Sequence, residues 1–184
     1  DFNEKILSHF GSQGMFQTAL IRNDCLFGYR PQPFDVIKAT VEEFAKMGVN
    51  RFQNFHGLNY TPAMEGVAEA VRQVQVETGL NVEAWGTICI EDNANVTVEN
   101  CLRTAEELLK NHSGLYFKSA SGVTSPDFNH ALFMRLGQEF GDVPKDIHAH
   151  GTYGLAAASY MAAIQASVEQ GHSIGIDCQH PALA

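Results

Sequence analysis

The segment Asp146-Ile147-His148-Ala149-His150-Gly151-Thr152-Tyr153-Gly154 concentrates residue types that do chemistry. In an extended strand, side chains two apart share a face. His148, His150 and Thr152 are therefore expected on one side. Two imidazoles at that spacing can hold one divalent ion, with the hydroxyl beside it; two ordinary histidines near a strand end fit the same pattern. Lys118 closes the apolar run Leu115-Tyr116-Phe117 and is expected in an interior, where a lone ammonium is costly. Three roles fit it. It could form a Schiff base with a carbonyl substrate. It could be carbamylated by carbon dioxide, which turns the cation into an anionic oxygen ligand. Or it could snorkel to the rim. Lys118 with His148 and His150 would make a site for a divalent metal such as zinc, manganese or cobalt. Such a site wants one more carboxylate. Arg22 could clamp a substrate carboxylate or pair with Asp24. Tyr29, taken by itself, suits loop packing better than a ligand contact.

These residues recur at the ends of short strands. Leu20-Ile21 leads to Arg22, and Arg51 to Phe55 leads to His56. Val82 to Ile90 leads to Glu91 and Asp92, and Leu115 to Phe117 leads to Lys118. Ile147 begins the strand of His148 and His150, and Ser173 to Cys178 carries Asp177. Helices are expected between them. Phe34 to Met47 has Ile37, Val41, Phe44 and Ala45 at helical spacing, with Gly48 at its end. Thr61-Pro62 opens a helix before Gly79. Thr97 caps one through Lys110, Ser125-Pro126 opens one to Phe140, and Tyr153 to Glu169 is Ala-rich. A further short helix is expected over Glu4 to Phe10. The repeat of roughly 30 residues is one βα unit. Parallel strands joined by helices leave a doubly wound sheet or a (β/α)8 TIM barrel. No Gly-rich phosphate loop follows a strand. Polar residues at the C-terminal ends of successive strands favour the barrel.

Composition narrows the classes. The chain has 184 residues, 45% hydrophobic and 18% charged, which suits one domain with a substantial core. A formal charge of −9 opposes nucleic-acid binding. No run approaches the roughly 20 apolar residues of a membrane span, and no signal-peptide pattern opens the chain. Cys25, Cys89, Cys101 and Cys178 form no CxxC pair, so reduced thiols in a cytoplasmic protein are expected.

Four motifs carry a family resemblance: "ALIRNDCLFGYRP" (19–31), "FQNFHGLN" (52–59), "FKSASG" (117–122) and "HAHGTYG" (148–154). In this order and spacing they resemble the carboxyltransferase domain of biotin-dependent enzymes acting on 2-oxo acids. That group includes pyruvate carboxylase, the oxaloacetate decarboxylase alpha subunit and transcarboxylase. The resemblance implies that Lys118, carbamylated, and His148 and His150 ligate the metal. It implies that Thr152 relays a proton between biotin and the substrate enol. By the same resemblance Arg22 binds or polarises the substrate, Tyr29 lies near the biotin ring and Asn59 lines the pocket, though Asn59 also suits a turn. The activity implied is carboxyl transfer between carboxybiotin and a 2-oxo acid such as pyruvate, through a metal-stabilised enolate. The implied partners are a biotin carrier domain and a biotin carboxylase component, both outside this chain, and a second copy in a homo-oligomer.

The sequence departs from the family at several points. Family aspartates are replaced by His56, Ser119 and Gly151, and an arginine by Gln53. Asn23-Asp24-Cys25 follows Arg22 in place of Gly-Ala-Asn. Fewer carboxylates weaken the surroundings of a metal. That leaves a more anionic or bulkier substrate than pyruvate, or a site that has lost activity. Two other readings stay open: a biotin-independent metal-dependent lyase or aldolase on the same barrel, and a degenerate, non-catalytic scaffold. By comparison with the family, residues 1–184 are expected to be strands two to seven of the barrel, with the Asp that supplies the fourth ligand lying before Asp1.

Overall fold

The computed structural model describes Lys5, His9 and residues 16–179. The helix expected over Glu4 to Phe10 lies mostly outside the described residues. The strands are β1 (Thr18–Ile21), β2 (Arg51–Phe55), β3 (Glu83–Cys89), β4 (Gly114–Ser119), β5 (Lys145–His150) and β6 (Gly175–Gln179). Helices alternate with them: α1 (Phe34–Lys46), α2 (Glu65–Thr78), α3 (Val98–Leu108), α4 (Pro126–Phe140) and α5 (Ala156–Glu169). The strands follow chain order in one six-stranded sheet. This is the parallel α/β alternation read from the sequence. The chain divides into two compact units, one of Asp1–Gly86 with Asn111–Ser113, the other of Thr87–Lys110 with Gly114–Ala184.

In the first unit β1 and β2 run parallel, with Ile21 opposite Asn54. Their apolar residues are covered by the buried stripes of α1 (Ile37, Val41, Ala45) and α2 (Val67, Val71, Val74). Ile21, Phe52 and Val82 complete that core. Helical periodicity explains both stripes, because residues three and four apart stack on one face. Helix α2 starts later than its sequence suggests. Thr61–Met64 forms a 3-10 turn first, with Pro62 in it, and the α-helix begins at Glu65. Gly79 ends it in the left-handed conformation, φ 71°, where a side chain would be strained.

In the second unit β4, β5 and β6 are parallel. Every residue of β4 is buried, as expected of a parallel strand covered on both faces. β5 alternates: Lys145, Ile147 and Ala149 are buried, while Asp146, His148 and His150 are partly open. The buried set packs toward helices, where Phe117 meets Phe133 of α4 edge to face at 5.2 Å. Thr97 accepts the Asn100 N–H to cap α3, and Ser125 accepts the Phe128 N–H to cap α4. No helix among the described residues is long and apolar enough to cross a membrane.

Candidate functional site

Parallel register aligns three of the polar strand-end residues. Lys118 on β4 lies opposite His148 on β5, and His148 lies opposite Asp177 on β6. Register partners in parallel strands share a face, so the three form one row across the sheet. His150 follows two residues beyond His148 on that face, with the two rings 5.1 Å apart and edge on. The expectation that His148 and His150 share a face holds. Lys118 is buried, at 9% exposure, among these groups.

The groups in the row act on one another. His148 Nδ1 lies 3.1 Å from Asp177 Oδ2. That hydrogen bond is the main reason the Asp177 carboxyl sits below its ordinary range; burial opposes it, and the Lys118 charge adds to it. Burial holds the His150 imidazole below its usual value, and the Lys118 charge pushes the same way. A neutral imidazole keeps a lone pair for a ligand. The Cys89 thiol nearby is pushed up to about 11, chiefly by desolvation and against the Lys118 charge. It stays protonated at neutral pH and is a poor nucleophile or ligand.

The second face of the His148 ring is the telling one. Its Nε2 is buried and has no hydrogen-bond partner. Buried polar atoms are nearly always satisfied, so an unpartnered ring nitrogen beside a second imidazole suits an electrophile bound there. Among the described residues, no three of His, Cys, Asp and Glu converge as a metal-holding group. The donor set here is two imidazoles and a lysine. Lysine as an ammonium has no lone pair to give, so Lys118 could serve a divalent ion only after losing that charge.

The loops around the row are braced. Glu91, just beyond β3, accepts the Ala120 N–H at 2.5 Å and the Ser121 N–H at 3.3 Å, and the Ser121 hydroxyl also donates to it. Gly122 follows with φ 71°, and a Cβ there would run into the His150 carbonyl. The loop after β4 therefore sits against the strand end that carries His150. From α5, the Tyr160 hydroxyl accepts the Ala149 N–H at 2.8 Å. It directs its own proton to the carbonyls of Ala149 at 2.8 Å and Asp177 at 3.1 Å. This pins the backbone between the two histidines.

Thr152 departs from the expected geometry. β5 ends at His150, and Thr152 lies exposed in the turn that the Gly154 N–H closes onto the Gly151 carbonyl at 3.1 Å. Strand alternation stops before it reaches Thr152. The following helix starts at Ala156, not Tyr153, with Leu155 at its cap and no side-chain cap bond.

In the first unit, Arg22 follows β1 and stacks over the Tyr29 ring at 4.5 Å and near Phe55 at 5.9 Å. Its guanidinium donates to the Gly28 carbonyl at 3.1 Å. It thus meets an aromatic face and a carbonyl, not Asp24. Tyr29 is 87% exposed, with the Arg22 guanidinium over its ring. Asn23, at φ 42°, donates to the Phe55 carbonyl at 3.2 Å and so ties the ends of β1 and β2. Asn59 takes φ 54° and its N–H closes a turn onto the His56 carbonyl at 2.9 Å. The turn reading of Asn59 holds.

Sequence reasoning noticed Asp177 and Glu91 as strand-end residues but gave neither a role. The register of β5 against β6, which no local signal gives, pairs Asp177 with His148. Nothing local announces that Glu91 reaches the loop at Ala120.

Comparisons with known proteins agree with the motif resemblance. No family model matches the chain. It is 28% identical over 160 residues to a pyruvate carboxylase subunit of Methanocaldococcus jannaschii, covering 86% of this chain and 26% of that protein. It is 30% identical over 152 residues to the pyruvate carboxylase of Staphylococcus aureus, covering 82% of this chain and 13% of that protein. The methylmalonyl-CoA carboxyltransferase 5S subunit of Propionibacterium freudenreichii is 26% identical, covering 82% of this chain and 29% of that subunit. The carboxyl transferase domain of Rhizobium etli pyruvate carboxylase, solved with pyruvate and biocytin, superposes with a TM-score of 0.80. It is 25% identical, covering 95% of this chain and 29% of that one. The chain thus spans between 13% and 29% of the relatives named here. It is similar to carboxyltransferase domains of biotin-dependent enzymes, the family its four motifs resemble.

Proposed function

We propose that this chain is part of the carboxyltransferase of a biotin-dependent enzyme, moving a carboxyl group between carboxybiotin and a 2-oxo acid such as pyruvate. The observation that carries this reading is the row of Lys118 and His148, with His150 on the same face, in a chain similar to such domains. In this reading Lys118, as a carbamate, joins His148 and His150 as ligands of a divalent ion such as zinc, manganese or cobalt. A bound ion there supplies Lewis-acid polarisation of the substrate 2-oxo group, which lowers the cost of the enolate. The chain's own residues do the rest. Lys118, as the free amine, adds carbon dioxide and loses a proton to become the carbamate. The low proton affinity of His150 keeps its lone pair free at neutral pH. Arg22 binds the substrate carboxylate or polarises its carbonyl, Tyr29 offers its exposed ring to the biotin ureido ring, and Asn59 shapes the loop lining the pocket. Thr152 passes a proton between biotin and the enol. Biotin arrives on a carrier domain loaded by a biotin carboxylase component, and the assembly is a homo-oligomer in the cytoplasm. The domain to which residues 1–184 contribute is a (β/α)8 barrel.

The test uses the full-length protein. Biocytin-dependent decarboxylation of oxaloacetate is followed by pyruvate release, with metal content measured on the same samples. About one divalent ion per chain and measurable turnover are expected. Lys118→Ala should lose most of the metal and at least 100-fold in turnover. Unchanged metal content in that variant rejects Lys118 as a ligand, and a metal-loaded protein without biocytin-dependent turnover rejects the carboxyltransferase reading.

A further inference from the structure

The carboxylate of Asp177 has no role in the motifs, yet the register sets it beside His148 and its Oδ2 lies 3.1 Å from His148 Nδ1. We infer that Asp177 is a positioning residue for His148, holding the proton on Nδ1 so that Nε2 presents its lone pair to the ion. This rests on the reading of His148 as a ligand.

Three observations support it. A carboxylate oxygen only accepts hydrogen bonds, so the ring nitrogen facing it must carry the proton. A neutral ring then has its lone pair on Nε2, and Nε2 is the buried atom without a partner. The orientation of the pair is also fixed from behind. Tyr160 holds the carbonyls of Ala149 and Asp177 with one hydroxyl, so the backbones of β5 and β6 cannot slide independently where the two side chains meet. A ligating histidine with its other nitrogen bonded to a carboxylate is more basic and better aimed than a free one. Among the described residues, Asp177 does not converge with His148 and His150 as a metal-holding triad. It acts through the ring.

The experiment has two readouts on the full-length protein. Long-range 1H–15N correlation on the metal-free wild type should report His148 in the Nδ1–H tautomer. Asp177→Asn should show a mixture, because a side-chain amide can donate as well as accept. Chelator competition with Co(II) should give a dissociation constant 10- to 100-fold weaker in Asp177→Asn, and Asp177→Glu should recover part of the loss. The melting temperature of the metal-free variant serves as the control, because the Asp177 side chain is half-exposed and Asn keeps its shape. The Nε2–H tautomer in the wild type overturns the inference without any variant. Wild type and Asp177→Asn binding Co(II) equally tightly overturns the role of Asp177 while leaving His148 a ligand. A wild type with no affinity for Co(II) overturns the ligand reading and this inference with it.

Discussion

At the residue scale, burial and exposure separate the polar side chains by the work they can do. Lys118 and His148 sit in a largely buried row, where small changes of charge are felt by neighbours. Thr152 is different. It lies exposed in a turn beyond β5, and the helix that follows is capped without it. Its removal takes away no buried contact and no cap. Thr152→Ala is therefore expected to shift stability by less than about 0.5 kcal/mol, the range of an exposed surface change. If its hydroxyl passes a proton in the transfer step, turnover falls roughly 100-fold or more. Metal content and carboxylation of biotin by the separate carboxylase component should be unchanged. Melting temperature and transfer rate on one variant give the answer, and a Thr152→Ala protein with full transfer rate rejects the role.

At the element scale, two helix starts follow local cap signals that the structure bears out, Thr97 for α3 and Ser125 for α4. Thr97 caps α3 through the Asn100 N–H at 3.1 Å. That bond satisfies one of the donors every helix leaves open at its start. Thr97→Ala is expected to lower the unfolding free energy by about 1 kcal/mol, read as a lower denaturant midpoint with an unchanged slope. An unchanged midpoint would mean that the α3 start is held by packing alone. The loop after β4 is different in kind, because it is held by Glu91 from a distance and by the fit of Gly122 against His150.

At the scale of the whole molecule, the sheet order places β1 and β6 at its two ends, among the described residues, and β2 to β5 between neighbours. A strand with one neighbour has half its backbone groups outside the ladder. Local opening is easiest where buried contacts are fewest. Amide hydrogen exchange on the 184-residue chain should therefore show the strongest protection in β2 and β4. β4 is buried throughout. Exchange in β1 and β6 should be faster by at least about 10-fold. Equal protection in β1 and β2 would show that another surface covers the β1 edge in solution.

Much of the architecture is legible in the sequence. β2 runs over Arg51–Phe55 and α4 over Pro126–Phe140, the spans their sequences indicate. The reason is that alternation, helical periodicity and caps are short-range geometry, carried by residues within one turn or one strand. The shared face of His148 and His150 follows from the same two-residue period. Where a strand stops is decided by packing, and β5 stops at His150, so Thr152 leaves the alternation expected to include it. The pairing of His148 with Asp177, 29 residues apart, was decided by tertiary structure alone. It depends on the register of two parallel strands, whose Ala149 and Asp177 carbonyls both accept from the Tyr160 hydroxyl. The hold of Glu91 on the Ala120–Gly122 loop has the same origin, because a carboxylate at one strand end reaches another loop only when the strands between them have been aligned.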